Sequence, residues 1–471
     1  MVAGERKLFG TDGIRGKANV PPMTPDTALA LGRALARLAR ERGDGAAGEA
    51  APLLIIAKDG RASGDMLEAA VAAGFASSGG DVGLAGLLPT PAVAYLVRRF
   101  GATMGVVVSA SHNPADDNGL KVFGASGTKL SDEDEARVEE LMAQTGGATI
   151  VEGGSAPGRI ARSDQYAAEY VAELVTVVAG DGRLDGLRIV VDCANGAASE
   201  VAAEVFARLG ATPIVLNAAP DGANINAACG ALHPEQMAAT VVRERAALGV
   251  AFDGDADRAI FAAADGEIVD GDHVLALLAG RLAAAGELDP PIVVGTTMSN
   301  FGLELALKQR RIRLLRADVG DRYVKELMDQ TGARLGGEPS GHILVPALSI
   351  AGDGIVTTLA VCAAMRAAGG RSLRELVQDV PKVPQVIRNV AVARKIALAE
   401  LPEVAAEIAD AERRLSGIGR VVVRFSGTQP LARVMVEGAD ADLVAEIGDH
   451  LAAVVKAALG DATAAETRAS E

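Results

Sequence analysis

The strongest constraint on the fold is an alternation of short β-branched runs with helical stretches, which begins near residue 26 and starts over twice. In the first round, residues 26–42 have helical spacing (Leu29, Ala30, Arg33, Ala34, Leu38), and the Gly- and Ala-rich 43–51 reads as a surface loop. Leu53–Ala57 reads as a buried strand, Asp65–Ser77 as a helix and Asp81–Leu84 as a strand. Helix and strand then continue to alternate through Ser111. After a glycine-rich stretch at 146–158 the pattern restarts, with a strand over Leu187–Asp192, a helix over Ala197–Leu209 and a strand over Pro213–Leu216. A third round predicts a strand at 292–296, a helix at 301–310, a strand at 312–316 and a helix at 320–330. Strands separated by helices of this length build βαβ units, so the expectation is three successive α/β domains with mixed, mainly parallel sheets. Their sequences do not repeat convincingly. Beyond the Pro- and Val-containing 380–386, a helix (Val404, Ile408, Ala411, Leu415) precedes a strand at Gly419–Arg424, a polar loop, a strand at Ala432–Glu437 and a helix (Leu443, Ile447, Leu451, Val454). That is a small C-terminal α+β domain. The expected boundaries are 1–158, 159–264, 265–380 and 381–460, with a disordered tail at 461–471.

Composition narrows the function. Of 471 residues 49% are hydrophobic but only 3% aromatic, with no Trp, which suits layered α/β packing better than a β-sandwich. A formal charge of −15 without a basic run excludes general nucleic-acid binding, so an anionic ligand would need local cations. Cys193, Cys229 and Cys362 are far apart and form no Cys-x-x-Cys pair, which argues against zinc and against a disulfide framework and fits a reducing compartment. The first ten residues lack an apolar signal core and nowhere do eighteen apolar residues run together. The expectation is a cytoplasmic protein with no membrane association.

Four stretches carry chemistry. Val106-Val107-Val108 ends abruptly in Ser109-Ala110-Ser111-His112-Asn113-Pro114, which places Ser111 at a strand exit, where α/β sheets present ligand-binding loops; an ordinary turn is the plainer reading. Asp116, Asp117, Asn118, Gly119 and Lys121 follow before the chain returns to apolar Val122-Phe123. Asp253-Gly254-Asp255-Ala256-Asp257-Arg258 sets three carboxylates within five residues between apolar flanks. Such carboxylates repel unless a cation joins them, and all-oxygen ligands suit Mg²⁺ or Ca²⁺. A calcium EF-hand is excluded because Arg258 and Ala264 stand where it needs Gly and Glu. Mg²⁺ held by few carboxylates takes up a phosphate oxygen, which a phosphorylated Ser111 could supply. Arg424-Phe425-Ser426-Gly427-Thr428-Gln429-Pro430-Leu431-Ala432-Arg433 places hydroxyls and a glycine turn between two arginines, a phosphate grip or else a plain hairpin. Gly337-Glu338-Pro339-Ser340-Gly341-His342 offers groups suited to sugar hydroxyls, although a lone His342 is more often structural. At the start of the chain, Lys7–Gly16 packs three glycines around Asp12 and Arg15. A hydrolase reading fails: adjacent side chains on an extended segment point apart, so Ser111 and His112 are not expected to meet, and no Gly-x-Ser-x-Gly elbow surrounds the serine.

Together, Phe9–Gly16, Ser109–Pro114 with Asp117–Lys121, Asp253–Arg258 and Gly337–His342 resemble the α-D-phosphohexomutases over nearly the whole chain. Met298-Ser299-Asn300 and Asp318–Val324 are similar to the bacterial phosphoglucosamine mutase branch of that family. The resemblance implies four domains around a central cleft. It implies that Ser111 carries the transferable phosphate, with Mg²⁺ on Ser111, Asp253, Asp255 and Asp257. Arg15, Lys121 and Arg258 would assist transfer. Glu338, Ser340 and His342 would contact the sugar, and Arg424, Ser426, Gly427, Thr428 and Arg433 would hold the non-reacting phosphate. The implied reaction interconverts glucosamine 6-phosphate and glucosamine 1-phosphate through glucosamine 1,6-bisphosphate, for amino-sugar and cell-wall precursor synthesis, by a monomer or homodimer whose partners are small sugar phosphates. A phosphomannomutase/phosphoglucomutase would share every catalytic motif. A non-catalytic sugar-phosphate-binding relative would have lost the serine or an acid, and none is lost. Phe425, Gln429 and Pro339 depart from the family pattern, as does Cys229–His233.

Overall fold

Alternation becomes layering in the computed structural model, which describes residues 8–10, 12–43, 51–144, 156–177, 183–394, 396–425 and 431–460. Thr11, most of the 43–51 loop, part of the 146–158 stretch, the 426–430 segment and the 461–471 tail lie outside the described residues. Two compact units result, Met1–Thr296 with Ala317–Gln378 and Thr297–Arg316 with Asp379–Glu471.

In the larger unit the first sheet has six strands in the order Ile14–Lys17, Asp117–Gly124, Met104–Val108, Leu53–Lys58, Asp81–Leu87, Ile160–Arg162. The last four run parallel, and Asp117–Gly124 is antiparallel to both its neighbours. Met104–Val108 is buried along its whole length, as a central strand covered on both faces must be. The helices Pro25–Glu41 and Ala62–Ser77 cross closely because of two glycines: a Cβ on Gly32 would lie 2.2 Å from the Val71 carbonyl oxygen, and one on Gly74 2.2 Å from that of Leu29. Thr24 caps the first of these helices and Pro25 opens it. Leu35 and Phe75 are fully buried in the core they share, a contribution of about 1.5–3 kcal/mol each.

Two segments differ from the reading of the sequence. The acids, glycine and lysine at 117–121, read from the sequence only as a polar stretch before Val122-Phe123, form the first half of a strand. Lys121 stands opposite Val107 and is buried, because ion pairs compensate its charge, a condition that no local pattern reveals. The helix expected at 197–209 starts only at Ala202. Before it, Ala194 and Asn195 adopt left-handed backbone and Gly196 presses on Gly254, where a Cβ would meet the carbonyl oxygen at 2.3 Å.

The second sheet runs Ile268–Val269, Ala259–Ala263, Leu248–Phe252, Arg188–Asp192, Thr212–Leu216. Leu248–Phe252 and Ala259–Ala263 are antiparallel and buried throughout, so the acidic segment between them is the turn of a buried hairpin. In the third round Ile292–Thr296 pairs in parallel with Leu335–Gly337, which pairs with Ile343–Leu344 across the Glu338–His342 turn.

The smaller unit is built on an antiparallel sheet, Gln385–Ala391, Leu431–Gly438, Gly419–Phe425, covered by the helices Pro402–Arg414 and Ala441–Leu459. It also holds the helix Phe301–Gln309, capped by Asn300. The fully buried Glu437 joins these parts, accepting from Arg420 Nε at 2.5 Å, Gln385 Nε2 at 2.9 Å and Asn300 Nδ2 at 3.2 Å. Among the described residues, no helix is long and apolar enough to cross a membrane.

Candidate active site

Ser111 lies three residues past the buried strand Met104–Val108 with φ of 53°, left-handed backbone that a serine adopts at a cost when the surroundings hold it there. Those surroundings are visible. Arg61, buried and paired with Asp59 at 2.9 Å, donates to the carbonyls of Ser111 (3.0 Å), Asn113 (2.8 Å), Asp117 (3.0 Å) and Pro114. Ser109 Oγ bonds Asp59 at 2.5 Å and accepts the Ser111 amide at 2.9 Å. Asn226 Nδ2 donates to the Ser111 and Asn113 carbonyls at 2.9 and 3.1 Å. Gly254 lies so near that a Cβ there would sit 2.4 Å from the Ser111 carbonyl oxygen. The side chain is thereby aimed at the acidic turn, with Ser111 Oγ 2.6 Å from Asp253 Oδ2.

The left-handed backbone also overturns the expectation that Ser111 and His112 cannot meet. Ser111 Oγ and His112 Nδ1 are 3.3 Å apart. On extended backbone the two side chains would point apart, and the positive φ of Ser111 brings them together. Burial first, then Arg258 and Arg15, push His112 down to about 4, so the imidazole is neutral at pH 7.

In the acidic turn, Asp253, Asp255 and Asp257 each offer an oxygen, and these three atoms lie within 4.8 Å of one another. Ala256, with φ of 57°, bends the loop so that alternate residues converge. Asp255 Oδ2 accepts from Thr90 Oγ1 at 2.5 Å and Lys121 Nζ at 2.7 Å. Asp255 Oδ1 and Asp257 Oδ1 are buried without a hydrogen-bond partner. Burial with Asp257 and Asp255 alongside holds Asp253 well above the carboxylate range. At Asp257 the same burial is outweighed by Lys121, His342 and Arg258, which hold it well below that range. Clustered hard oxygens, two of them unsatisfied, fit a divalent cation.

Cations gather around this turn. Lys121 Nζ is 3.2 Å from Asp12 and 3.7 Å from Asp257, and its acids outweigh burial to raise its pKa. Arg258 approaches Asp257 at 3.7 Å and Asp253 at 3.9 Å, and Arg15 pairs with Asp12. The Nε atoms of Arg15 and Arg258 are buried and make no hydrogen bond. His342 turns Nδ1 to Asp257 at 3.6 Å; burial opposes its charge, but Asp257 and Asp321 raise it to about 9. Glu338 is buried, with Oε1 accepting from the Gly320 amide at 2.9 Å and Oε2 from Ser340 Oγ at 3.1 Å. Pro339 uses its carbonyl to receive the Gly271 amide at 3.1 Å.

In the smaller unit Arg424 and Arg433 stand directly opposite each other in the antiparallel pair, and Arg433 Nε is buried without a partner. Ser426, Gly427 and Thr428 lie outside the described residues.

The structure thus brings together Ser111, the three acids, Arg15, Lys121, Arg258 and His342. Reading the sequence missed Asp59, Arg61, Thr90, Asn226 and the approach of His112. An available signal was Asp59-Gly60-Arg61, an acid and a base at the exit of the strand beside that of Ser111. For Asn226 and Thr90, distant in sequence, there was none.

Sequence profiles of four domains match this chain in order: phosphoglucomutase/phosphomannomutase α/β/α domain I over residues 6–148, domain II over 168–266, domain III over 270–383 and the C-terminal domain over 388–454. Serine, acidic turn and fold together define a phosphohexomutase, and the chain belongs to the phosphoglucomutase/phosphomannomutase family. More particularly, it is 48% identical over 456 residues to a phosphoglucosamine mutase of Rhodospirillum rubrum, covering 96% of this chain and 99% of that one. A phosphoglucosamine mutase of Paracoccus denitrificans is 47% identical over 454 residues, covering 96% and 100%. Among solved structures, a phosphoglucomutase/phosphomannomutase family protein from Burkholderia thailandensis is similar with a TM-score of 0.77 at 25% identity, covering 96% of this chain and 97% of that one.

Proposed function

We propose that this enzyme interconverts glucosamine 6-phosphate and glucosamine 1-phosphate through a phosphoserine at Ser111 and a glucosamine 1,6-bisphosphate intermediate. The observation that carries the reading is a serine hydroxyl set against an acidic turn among buried groups that lack hydrogen-bond partners. Ser111 Oγ lies 2.6 Å from Asp253 Oδ2, while Arg15 Nε and Arg258 Nε are donors with nothing to donate to and Asp255 Oδ1 and Asp257 Oδ1 are acceptors without donors. A phosphate on Ser111 answers the first pair and a cation the second. Nearly half-identical relatives that bear the name phosphoglucosamine mutase supply the choice of sugar.

In the forward half-reaction the free sugar hydroxyl attacks the phosphorus on Ser111. The new sugar O–P bond forms as the Ser111 O–P bond breaks, and the proton lost by the sugar hydroxyl is balanced by one taken up by the released Ser111 oxygen, which returns to a neutral hydroxyl. The bisphosphate then turns around and returns its other phosphoryl group to Ser111. Arg15, Lys121 and Arg258 face the phosphoryl oxygens in flight, Glu338, Ser340 and His342 contact the sugar, and Arg424 with Arg433 and the 426–428 segment hold the phosphate that is not reacting. Like charges directly opposite on neighbouring strands repel, and an anion between Arg424 and Arg433 removes that cost. Asp253, Asp255, Asp257 and the phosphoserine would hold Mg²⁺, which when bound neutralises charge on the transferring group. The product would feed amino-sugar and cell-wall precursor synthesis in the cytoplasm.

Turnover should be compared on the 6-phosphates of glucosamine, glucose and mannose, with intact mass measured before and after incubation with glucosamine 1,6-bisphosphate. Preference for glucosamine and a gain of one phosphoryl mass on Ser111 support the reading. Preference for glucose or mannose would replace the substrate, and failure to phosphorylate Ser111 would remove the mechanism.

A further inference from the structure

Partly buried ion pairs join two parts of the larger unit that the proposed chemistry treats separately. After the strand Asp117–Gly124 the chain turns back on itself, with Gly124 N donating to Thr128 O at 2.9 Å and Leu130 N to Val122 O at 3.2 Å, so Lys129 faces inward beside Phe123. Its ammonium is shared, donating to Asp12 Oδ1 at 2.5 Å and to Asp321 Oδ2 at 2.7 Å. The side chains of Lys129, Asp12 and Asp321 are 23%, 24% and 27% exposed, too covered for water to replace these partners freely.

The two acids lead to different places. Asp12 turns its other oxygen to Lys121 at 3.2 Å and to Arg15, so it belongs to the cations around Ser111. Asp321 opens the helix Asp321–Thr331 immediately after Gly320, whose amide holds Glu338 Oε1 at 2.9 Å. Gly320 has φ of 134°, backbone open to glycine alone, so the position that holds Glu338 has no side chain of its own to anchor it. Burial disfavours all three charges, yet the partners prevail: Lys129 is raised, and Asp12 and Asp321 are lowered.

Building on the mutase reading, we infer that Lys129 is a positioning residue that ties the Gly320 turn, and through it Glu338, to the Asp12 side of the phosphoryl-transfer site. Without the ammonium, Asp12 keeps Lys121 and Arg15, whereas Asp321 loses its ion pair and faces another carboxylate across the gap. The Gly320 side is therefore the one that gives way, and sugar recognition suffers more than phosphoryl transfer.

The test is Lys129→Met, Lys129→Arg and Asp321→Asn, each read by kinetics and by amide exchange without ligand. Lys129→Met should raise KM for glucosamine 6-phosphate about tenfold with kcat within threefold, and Lys129→Arg should recover most of the loss because a guanidinium can span both carboxylates. Asp321→Asn should also raise KM, and adding it to Lys129→Met should cost little more. Exchange at the Gly320 amide should quicken in Lys129→Met while the strand Met104–Val108 stays protected. A fall in kcat at constant KM, or unchanged Gly320 protection, overturns the inference. Should Lys129→Met fail to fold, Asp321→Asn with unaltered KM and exchange overturns it equally. Wild-type turnover of glucosamine 6-phosphate decides the mutase reading by itself, and the exchange experiment decides the clasp whatever sugar phosphate is the substrate.

Discussion

Two strand exits carry the proposed chemistry, and they are built in opposite ways. Past Met104–Val108 the backbone around Ser111 is held by Arg61 on four carbonyls, by Ser109 and by Asn226, in a conformation that the serine would not choose alone. At the end of Gly419–Phe425, a strand partly exposed along its length, Arg424 faces Arg433 of the neighbouring strand and Arg433 keeps a buried nitrogen unsatisfied. The difference follows from what each must do. An atom that makes and breaks bonds has to be in place beforehand, since small displacements cost orders of magnitude in rate. A grip that receives a different phosphate in each half-reaction needs charge and reach more than one fixed geometry.

If the contrast holds, the largest effect belongs to the serine itself. Ser111→Ala should abolish turnover with the fold intact, read by mutase assay alongside circular dichroism; full activity in that variant would end the phosphoserine mechanism. Next comes the acidic turn, where Asp255→Asn should lose most of the rate and its response to added Mg²⁺. Wild-type speed in the presence of chelator would make the turn a structural feature.

Arg61→Met sharpens the comparison because it leaves every reacting group in place. It strands the buried Asp59 and frees four carbonyls, so denaturant unfolding should show a loss of about 3–5 kcal/mol, with a hundredfold loss of kcat at temperatures where the variant is folded. Wild-type kcat in the folded variant would mean that Ser111 needs no such scaffold. Arg424→Ala should do the reverse, leaving stability unchanged and weakening both monophosphates by roughly 1.5–3 kcal/mol, about one to two decades of affinity by calorimetry. Were both affinities within twofold of wild type, the anion would be held elsewhere.

The smallest effect concerns the helix Gly354–Ala367, whose Gly354 amide donates to the Ala256 carbonyl of the acidic turn at 2.9 Å. Asp353 caps the helix Gly354–Ala367 by accepting from the Ile355 and Val356 amides, and Tyr170 donates to it at 2.7 Å. Burial raises Asp353 from 3.8 to about 6. A raised acid contributes its full stability below its unfolded value and loses it as pH climbs through the folded value, so wild type should lose on the order of 2 kcal/mol between about pH 4 and 6. In Asp353→Asn, which keeps the cap, that slope should vanish. Parallel stability–pH curves for the two proteins would assign the slope to other groups.

By itself the sequence determined the three α/β rounds and the small α+β domain, because hydrophobic period and turn residues are local properties that any window of the chain displays. It also pointed to the parts of the candidate site that are contiguous: the Ser111 exit, the Asp253–Arg258 turn and the Glu338–His342 turn each carry their candidate residues within a few positions. What only the tertiary structure decided is what joins distant segments. Lys121 became a buried strand residue because Asp12 and Asp255 neutralise it from 109 and 134 residues away. His112 reached Ser111 because Arg61 and Asn226 hold a backbone that a local reading takes as extended. Lys129 found Asp12 and Asp321 across two sheets' worth of chain. In each case a charge or a strained backbone is stable only with its partner present, and the partner's position is set by the packed fold rather than by spacing along the chain.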